Sequence, residues 1–372
     1  AWQDHLAHII TTQLGFTRSK YDANVYYKSH VWVLVHVDDL LITGTLEACD
    51  EVIRKLGQHL LLKLTGNPND ENSSMTFLGR VMRRVGDAIP FIIEDDYYKK
   101  MFDEAELGTL RSVNSPGAKI KETSEQSPPL NADEHSLFRR VVGKLQWIVP
   151  LRADVAFAVK ELARRLTAPT MEDWAALIWV LRYLLGTMHY VYVLRPNTRL
   201  GELPKVLDVE TFADSDWAGC RTTRKSTSGI CVRILGTVVL FASRTQETIA
   251  LSSGEAELYA VGSTVAEGLF VCNFLKEVKL AIKTILTCYT DSTAGKSIAS
   301  RFGTSKKTRH IDTRLLYMQE LIQRGLLRMK KILGTENIAD LGTKYLNAET
   351  IMKFLETAGL EECLSRELQT LD

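Results

Sequence analysis

From residue 209 onward, strand-like and helix-like segments alternate in an order few folds accommodate, and an acid sits at each joint. "VETFAD" (209–214) has strand spacing, and "SGICVRILGTVVLFAS" (228–243) reads as two strands around Gly236. "SGEAELYAVGSTVAEGLFVCNFLKEV" (253–278) is a long helix, and "TILTCYTD" (284–291) is a strand ending in a carboxylate. A helix over 313–325, a strand over 326–332 and the start of a helix over 336–346 follow. The order predicts an α/β (α+β) unit: a mixed sheet with helices on its faces. Asp214 ends the first strand, Glu257 lies in the first turns of the long helix, Asp291 ends "CYTD", and Asp340 falls in the first turn of the last helix.

A carboxylate at the end of a strand can point into the crevice beyond the sheet edge. Four of them converging would repel, and they stay ionised together only with cations between them. Oxygen ligands alone suit Mg²⁺ or Mn²⁺ rather than zinc. Two such ions about 4 Å apart are the apparatus for in-line phosphodiester hydrolysis. Each acid also has a structural reading. Ser252 and Glu255 form a capping box, which assigns Glu255 to structure and leaves Glu257 unexplained. Asp291 can cap a helix starting at Ser292, and Asp340 can be an ordinary first-turn carboxylate. Strand register does not choose between Asp214 and Asp216.

Upstream, "VHVDDLLITG" (35–44) places Asp38 and Asp39 side by side at the tip of an apolar hairpin. Around it the spacing predicts a helix over 1–14, strands over 25–28 and 31–37, a helix over 47–63, a strand over 75–85 containing Gly79, and a helix over 97–107. Residues 112–134, rich in Ser, Pro and Glu, read as an exposed linker. A helical section over 135–190 follows, with stops at Pro150, Pro169 and Gly186. The expected divisions are 1–111, 112–134, 135–204, 205–346 and a helical tail over 347–372. Trp147, Trp174, Trp179 and Trp217 are expected in the core.

Net charge is only +1, but it is unevenly spread. Residues 136–200 carry ten Lys/Arg against four Asp/Glu, and residues 301–331 carry nine against two. Such local basic surfaces suit a phosphate backbone, or are simply solvated helix faces. The six cysteines show no metal-ligand spacing and read as free thiols. No membrane partner is expected. The chain opens at Ala1 with an amphipathic pattern already under way, as if cut from something longer.

Five motifs carry a family resemblance: "FADSDWAGCRTTRKSTSGICV", "ALSSGEAELYA", "YTDSTAGKSIA", "KTRHIDTR" and "ENIADLGTK". In this order they closely resemble the ribonuclease H domain of copia-type LTR retrotransposon Pol polyproteins. "FRRVVGKLQWIVPLRADVAFAVKELARRL" and "DWAALIWVLRYLLGT" resemble the helical thumb and connection of the same polyproteins, and "GFTRSKYDANVYYK" with "HVDDLLITG" resembles the second half of a reverse transcriptase palm. The resemblance implies metal binding and catalysis by Asp214, Glu257, Asp291 and Asp340, choosing Asp214 over Asp216. It implies cleavage of the RNA strand of an RNA–DNA hybrid, with Mg²⁺ as cofactor.

Asp38 and Asp39 then resemble the metal-binding pair of a polymerase palm engaging a template-primer. His36 stands where the family has Tyr or Phe. The third palm aspartate would precede Ala1, in the missing N-terminal half of the reverse transcriptase, so this chain alone is expected not to polymerise. Arg221, Arg224, Lys225, Ser292, Lys306, Lys307 and Arg309 are placed to touch substrate, with Thr222, Thr223, Ser226, Thr227 and Ser228 offering hydroxyls to phosphate or 2′-OH. His310 is a candidate for proton transfer or product release, or a packing histidine. The expected location is intracellular, in a cytoplasmic particle or the nucleus. The rival reading is a catalytically inactive nucleic-acid-binding remnant of a decayed transposon copy.

Overall fold

The computed structural model describes residues 2–70, 73–117, 127–197, 204–293, 296–297 and 317–363. It is a mixed α/β structure with three sheets. In the first, β1 (Thr17–Arg18), β2 (Val25–Lys28), β3 (Val31–His36) and β4 (Asp39–Thr43) pair antiparallel in sequence order. Alternation along β3 buries Val31, Val33 and Val35. Against them pack Leu6 of α1 (Trp2–His8), Ile9 and Ile10 of the π-turn that continues it, and Val52 and Leu56 of α2 (Leu46–Leu56). The helix expected over 47–63 stops at Leu56.

The strand expected over 75–85 is instead a hairpin, β5 (Met75–Phe77) and β6 (Arg80–Met82). Leu78 and Gly79 both have positive φ, the geometry of a two-residue hairpin turn. β7 (Ile89–Ile92), β8 (Tyr190–Leu194) and β14 (Leu360–Glu362) complete this second, antiparallel sheet in the order β14-β8-β7-β6-β5. Its strands come from three distant stretches of chain. The tail expected to be helical therefore holds a helix and then a strand.

Helices α3 (Asp95–Glu104), α4 (Ala132–Ile148), α5 (Ala156–Ala163) and α6 (Met171–Thr187) share one core, with Phe138, Val142, Leu145, Leu177 and Leu181 buried in it. Asn131 and Thr170 cap α4 and α6 through reciprocal bonds with Glu134 and Asp173. Gly186 does not stop α6; it lies within the last turn, where a Cβ would stand 2.8 Å from Ser112 Cβ. The described start of the linker, 112–117, runs along α6: Trp179 Nε1 donates to the Ser115 carbonyl at 2.9 Å.

The third sheet positions the acids. β9 (Val206–Ser215), β10 (Thr227–Ile234) and β11 (Thr237–Thr245) are antiparallel, while β12 (Lys283–Thr290) and β13 (Leu327–Lys331) run parallel to β9. The order β11-β10-β9-β12-β13 is a ribonuclease H-like mixed sheet. On one face Leu258, Val261 and Val265 of α7 (Ser253–Glu277) pack on Val209, Val232 and Leu286. On the other, Phe212, Cys231 and Val238 join the helical core. Among the described residues α7 is long and apolar enough, by length and composition, to cross a membrane; here its apolar side lies on this sheet. Its C-terminal end docks on the first sheet, where Ser19 Oγ donates to Glu277 Oε2 at 2.6 Å and Trp32 Nε1 to the Val278 carbonyl at 2.9 Å.

α8 (Tyr317–Gln323) precedes β13, and α9 (Ala348–Thr357) precedes β14. The helix expected over 336–346 is not an α-helix. Residues Ile338–Gly342 form a 3₁₀ turn packed against β9 and β10.

Candidate metal centre

Three joints of the third sheet meet at one end. Ala213 pairs with Thr290 across β9 and β12, so Asp214 and Asp291 leave adjacent parallel strands side by side. Glu257 comes from the early turns of α7. Ser252 Oγ accepts from Glu255 N there, while Glu255 accepts from Leu251 N at 2.9 Å and from the Tyr259 hydroxyl at 2.6 Å. Glu255 is thus structural, and Glu257, two residues on, faces the sheet. One ligand oxygen from each of Asp214, Glu257 and Asp291 lies within 4.8 Å of the other two.

Asp340 completes the cluster from the 3₁₀ turn. Asn337, fully buried, ties that turn to β9: its Nδ2 donates to the Ala213 carbonyl at 2.9 Å, and its Oδ1 accepts from Ala339 N. Gly229, paired with Asp214 across β10, lets the turn close in; a Cβ there would stand 2.1 Å from the Ala339 carbonyl oxygen. Thr343 Oγ1 donates to Asp214 Oδ2. Lys344 Nζ lies 2.8 Å from Asp340 Oδ2 and 3.8 Å from Asp214 Oδ2.

The electrostatics follow from this crowding. Burial, then the charges of Asp214 and Asp291, push Glu257 up to about 9. Burial and Asp214 raise Asp340 to about 7 against the pull of Lys344. Asp291 is raised by burial and then by Asp214. For Lys344, burial favours the neutral form, but Asp214, Asp340 and Asp291 outweigh it and hold the ammonium charged above its ordinary range. Two buried oxygens here, Glu257 Oε2 and Asp340 Oδ1, have no hydrogen-bond partner. Unpartnered carboxylate oxygens aimed into an all-oxygen donor set fit a hard divalent cation.

Asp216, the alternative to Asp214, turns away: the strand ends at Ser215, and Asp216 Oδ1 accepts from Thr227 N at 2.6 Å. Ser292, half-buried, donates its N–H to Thr290 Oγ1 beside Asp291. Arg221 and Arg224 are exposed and Lys225 is half-buried in the β9–β10 connection, as are the exposed Thr222 and Thr223. Ser226, Thr227 and Ser228 are not available to substrate. All three are buried; Ser226 Oγ accepts from Ala218 N, Thr227 Oγ1 accepts from Lys160 Nζ, and Ser228 Oγ accepts from Gln246 Nε2. Lys306, Lys307, Arg309 and His310 lie outside the described residues. Trp217, expected in the core, is 56% exposed, with its Nε1 donating to the Ala250 carbonyl. Trp147, Trp174 and Trp179 pack half-buried.

Asp38 and Asp39 stand exposed at the tip of the β3–β4 hairpin, and His36, also exposed, pairs with Asp39. Val37, expected at the end of the strand over 31–37, lies beyond β3, is 54% exposed with φ 54° and accepts from Trp2 Nε1. Among the described residues no third His, Cys, Asp or Glu joins the two aspartates within ligand reach. Asn337, Thr343 and Lys344 are the contributors that sequence reasoning missed. The Asp340/Lys344 spacing of four was the available signal for the last.

No family model matches the chain. It is 27% identical over 366 residues, 97% of its length, to the Retrovirus-related Pol polyprotein from transposon RE1 of Arabidopsis thaliana. It is 27% identical over 341 residues, 87% of its length, to that from transposon TNT 1-94 of Nicotiana tabacum. An uncharacterized mitochondrial protein of A. thaliana is 30% identical over 237 residues, 64% of this chain and 92% of the relative. The chain spans about a quarter of the length of the two polyproteins, 24% of each. Among solved structures, a foamy viral protease-reverse transcriptase in complex with double-stranded DNA covers 89% of this chain and 48% of its own, at 12% identity and TM-score 0.44. The sequence similarity, running over nearly the whole chain, supports reading it as a fragment of a retrotransposon Pol polyprotein.

Proposed function

We propose that the unit spanning residues 205–346 is a ribonuclease H that cleaves the RNA strand of RNA–DNA hybrids with two divalent cations, Mg²⁺ or Mn²⁺. The observation that carries this reading is the meeting of Asp214, Glu257 and Asp291 within ligand distance, with Asp340 beside them and two buried oxygens unpartnered. Bound there, divalent cations supply charge to activate the attacking water and to neutralise the leaving 3′ oxygen. The four carboxylates would hold them; Thr343 and Asn337 fix where Asp214 and the Asp340 turn stand. Arg221 and Arg224 lie on the connection just beyond Asp214, where cationic side chains engage phosphates without reading sequence. Ser292 is positioned beside Asp291 to contact the same backbone.

The β3–β4 hairpin with Asp38 and Asp39 is part of a polymerase palm, and with no third acidic ligand beside the pair among the described residues these residues alone are expected not to polymerise. The test is cleavage of an end-labelled RNA–DNA hybrid by the purified chain. Mg²⁺-dependent cuts in the RNA strand, absent in Asp291→Asn, are expected. A folded chain that binds Mn²⁺ and the hybrid yet leaves the RNA intact would identify an inactive nucleic-acid-binding remnant instead.

A further inference from the structure

Four carboxylates meet at this centre, but they are not equivalent. Asp214, Glu257 and Asp291 share one position. Asp340 stands outside that group of three, on the side of Asp214 that carries a positive charge from the chain itself. Lys344 Nζ lies 2.8 Å from Asp340 Oδ2 and 3.8 Å from Asp214 Oδ2. Asp340 Oδ1 is buried and has no hydrogen-bond partner, so the ammonium satisfies only half of that carboxylate.

We propose that Lys344 is a tethered counter-cation that occupies the second cation position between Asp214 and Asp340, keeping it closed to a divalent ion until nucleic-acid phosphate draws the ammonium away. This rests on the two-cation reading above and adds to it a residue that decides when the second ion enters.

Three further observations support it. The side chain can move while its backbone does not. Thr343 is fixed by its bond to Asp214, and the Tyr345 ring packs edge-on against Phe157 at 4.9 Å with Gly117 against its other side. Between these anchors the Lys344 side chain is 46% exposed, whereas those of Asp214 and Asp340 are 6% and 11% exposed. The ammonium therefore has an open path to solvent and to anything docked over the site. Finally, the ammonium meets only one oxygen of each carboxylate, Asp340 Oδ2 at 2.8 Å and Asp214 Oδ2 at 3.8 Å, so it can leave by swinging onto another anion. A phosphodiester entering over the cluster brings such an anion to the ammonium, and because the carboxylates it leaves are buried, its departure has to be matched by a divalent ion taking its place.

The test counts ions on the full chain without nucleic acid, by electron paramagnetic resonance of free Mn²⁺ and by calorimetry. The expected result is one ion for the parent chain and for Lys344→Arg. Lys344→Met is expected to take two, or to bind the second at least tenfold more tightly. Glu257→Gln should lose the first ion in either background. If the parent chain binds no ion, the two-cation reading fails. If it binds one and Lys344→Met leaves the second unchanged or weaker, or if the parent already takes two with equal affinity, the Lys344 proposal fails alone. Should Lys344→Met not fold without metal, refolding in Mn²⁺ and counting bound ions after desalting gives the same decision.

Discussion

Gly229 and Gly342 lie backbone against backbone: a Cβ on Gly342 would stand 2.9 Å from Gly229 Cα. Because Gly229 is also the strand partner of Asp214, this contact sets how near the Asp340 turn comes to β9. Gly229→Ala is expected to push the turn outward. Forcing a methyl into such a contact costs about 1–3 kcal/mol. The melting temperature should fall by several degrees and Mn²⁺ affinity by at least tenfold, read by calorimetry. Unchanged metal affinity would mean that Asp340 does not depend on this approach.

The carboxylate cluster makes metal-free stability depend on pH. Glu257 titrates at about 9 and Asp340 at about 7 in the folded chain, both above their ordinary values of 4.5 and 3.8. Between those values the folded state holds more protons than the unfolded one, so the contribution of these groups falls as pH rises. Melting temperature in chelator should therefore decline from pH 5 to pH 9. Added Mn²⁺ should raise it, and by more at the higher pH. Glu257→Gln should flatten the decline in chelator and abolish most of the metal response. A metal response that is the same at pH 5 and pH 9 would contradict the linkage.

Beneath the turn that carries Asp340, which packs against Ala153–Val155, Arg152 is 1% exposed and bonds Asp154 twice, Nε to Oδ1 at 3.0 Å and Nη2 to Oδ2 at 2.7 Å. The Tyr183 hydroxyl donates to the same carboxylate, and Arg152 Nη1 donates to the Thr187 carbonyl. Asp154→Ala leaves a buried guanidinium unpaired, at a cost of about 3–5 kcal/mol. Urea denaturation should show the loss; an unchanged midpoint would contradict it.

Asp38 and Asp39 are exposed and lack a third ligand among the described residues. Asn at both positions is expected to leave Mn²⁺ stoichiometry and melting temperature unchanged. Primer extension assays on the parent chain should show no templated dNTP incorporation. Detectable extension, lost in the double variant, would reverse this reading of the hairpin.

Much of the third sheet is legible in the sequence because its signals are local. Short runs of strand-forming residues mark β9 to β12, Ser252 caps α7, and Glu255 is held by Leu251 N and the Tyr259 hydroxyl, which leaves Glu257 to chemistry. The turn bearing Asp340 was misread because Ile338 and Leu341, three apart, satisfy a helical period as well as a 3₁₀ one. Trp217 was misread because aromatic content says nothing of orientation in a loop. Ser226 to Ser228 look like hydroxyls free for phosphate until strand pairing buries them. The second sheet is legible only at its β5–β6 hairpin, because β8 and β14 join it by pairing over long stretches of chain, which no short window contains.

That sheet has a kinetic consequence. Tyr192 meets Leu360 across β8 and β14, while the strands of the carboxylate unit, 206–331, lie wholly between those two positions. During synthesis the inner unit has all its strands well before residue 360 emerges from the ribosome, and loop closure over so long a separation is slow. The third sheet should thus assemble first, leaving the edge of β8 open as a late, aggregation-prone intermediate. Ribosome release of the last strand, rather than formation of the carboxylate pocket, then sets when the whole chain becomes resistant to protease.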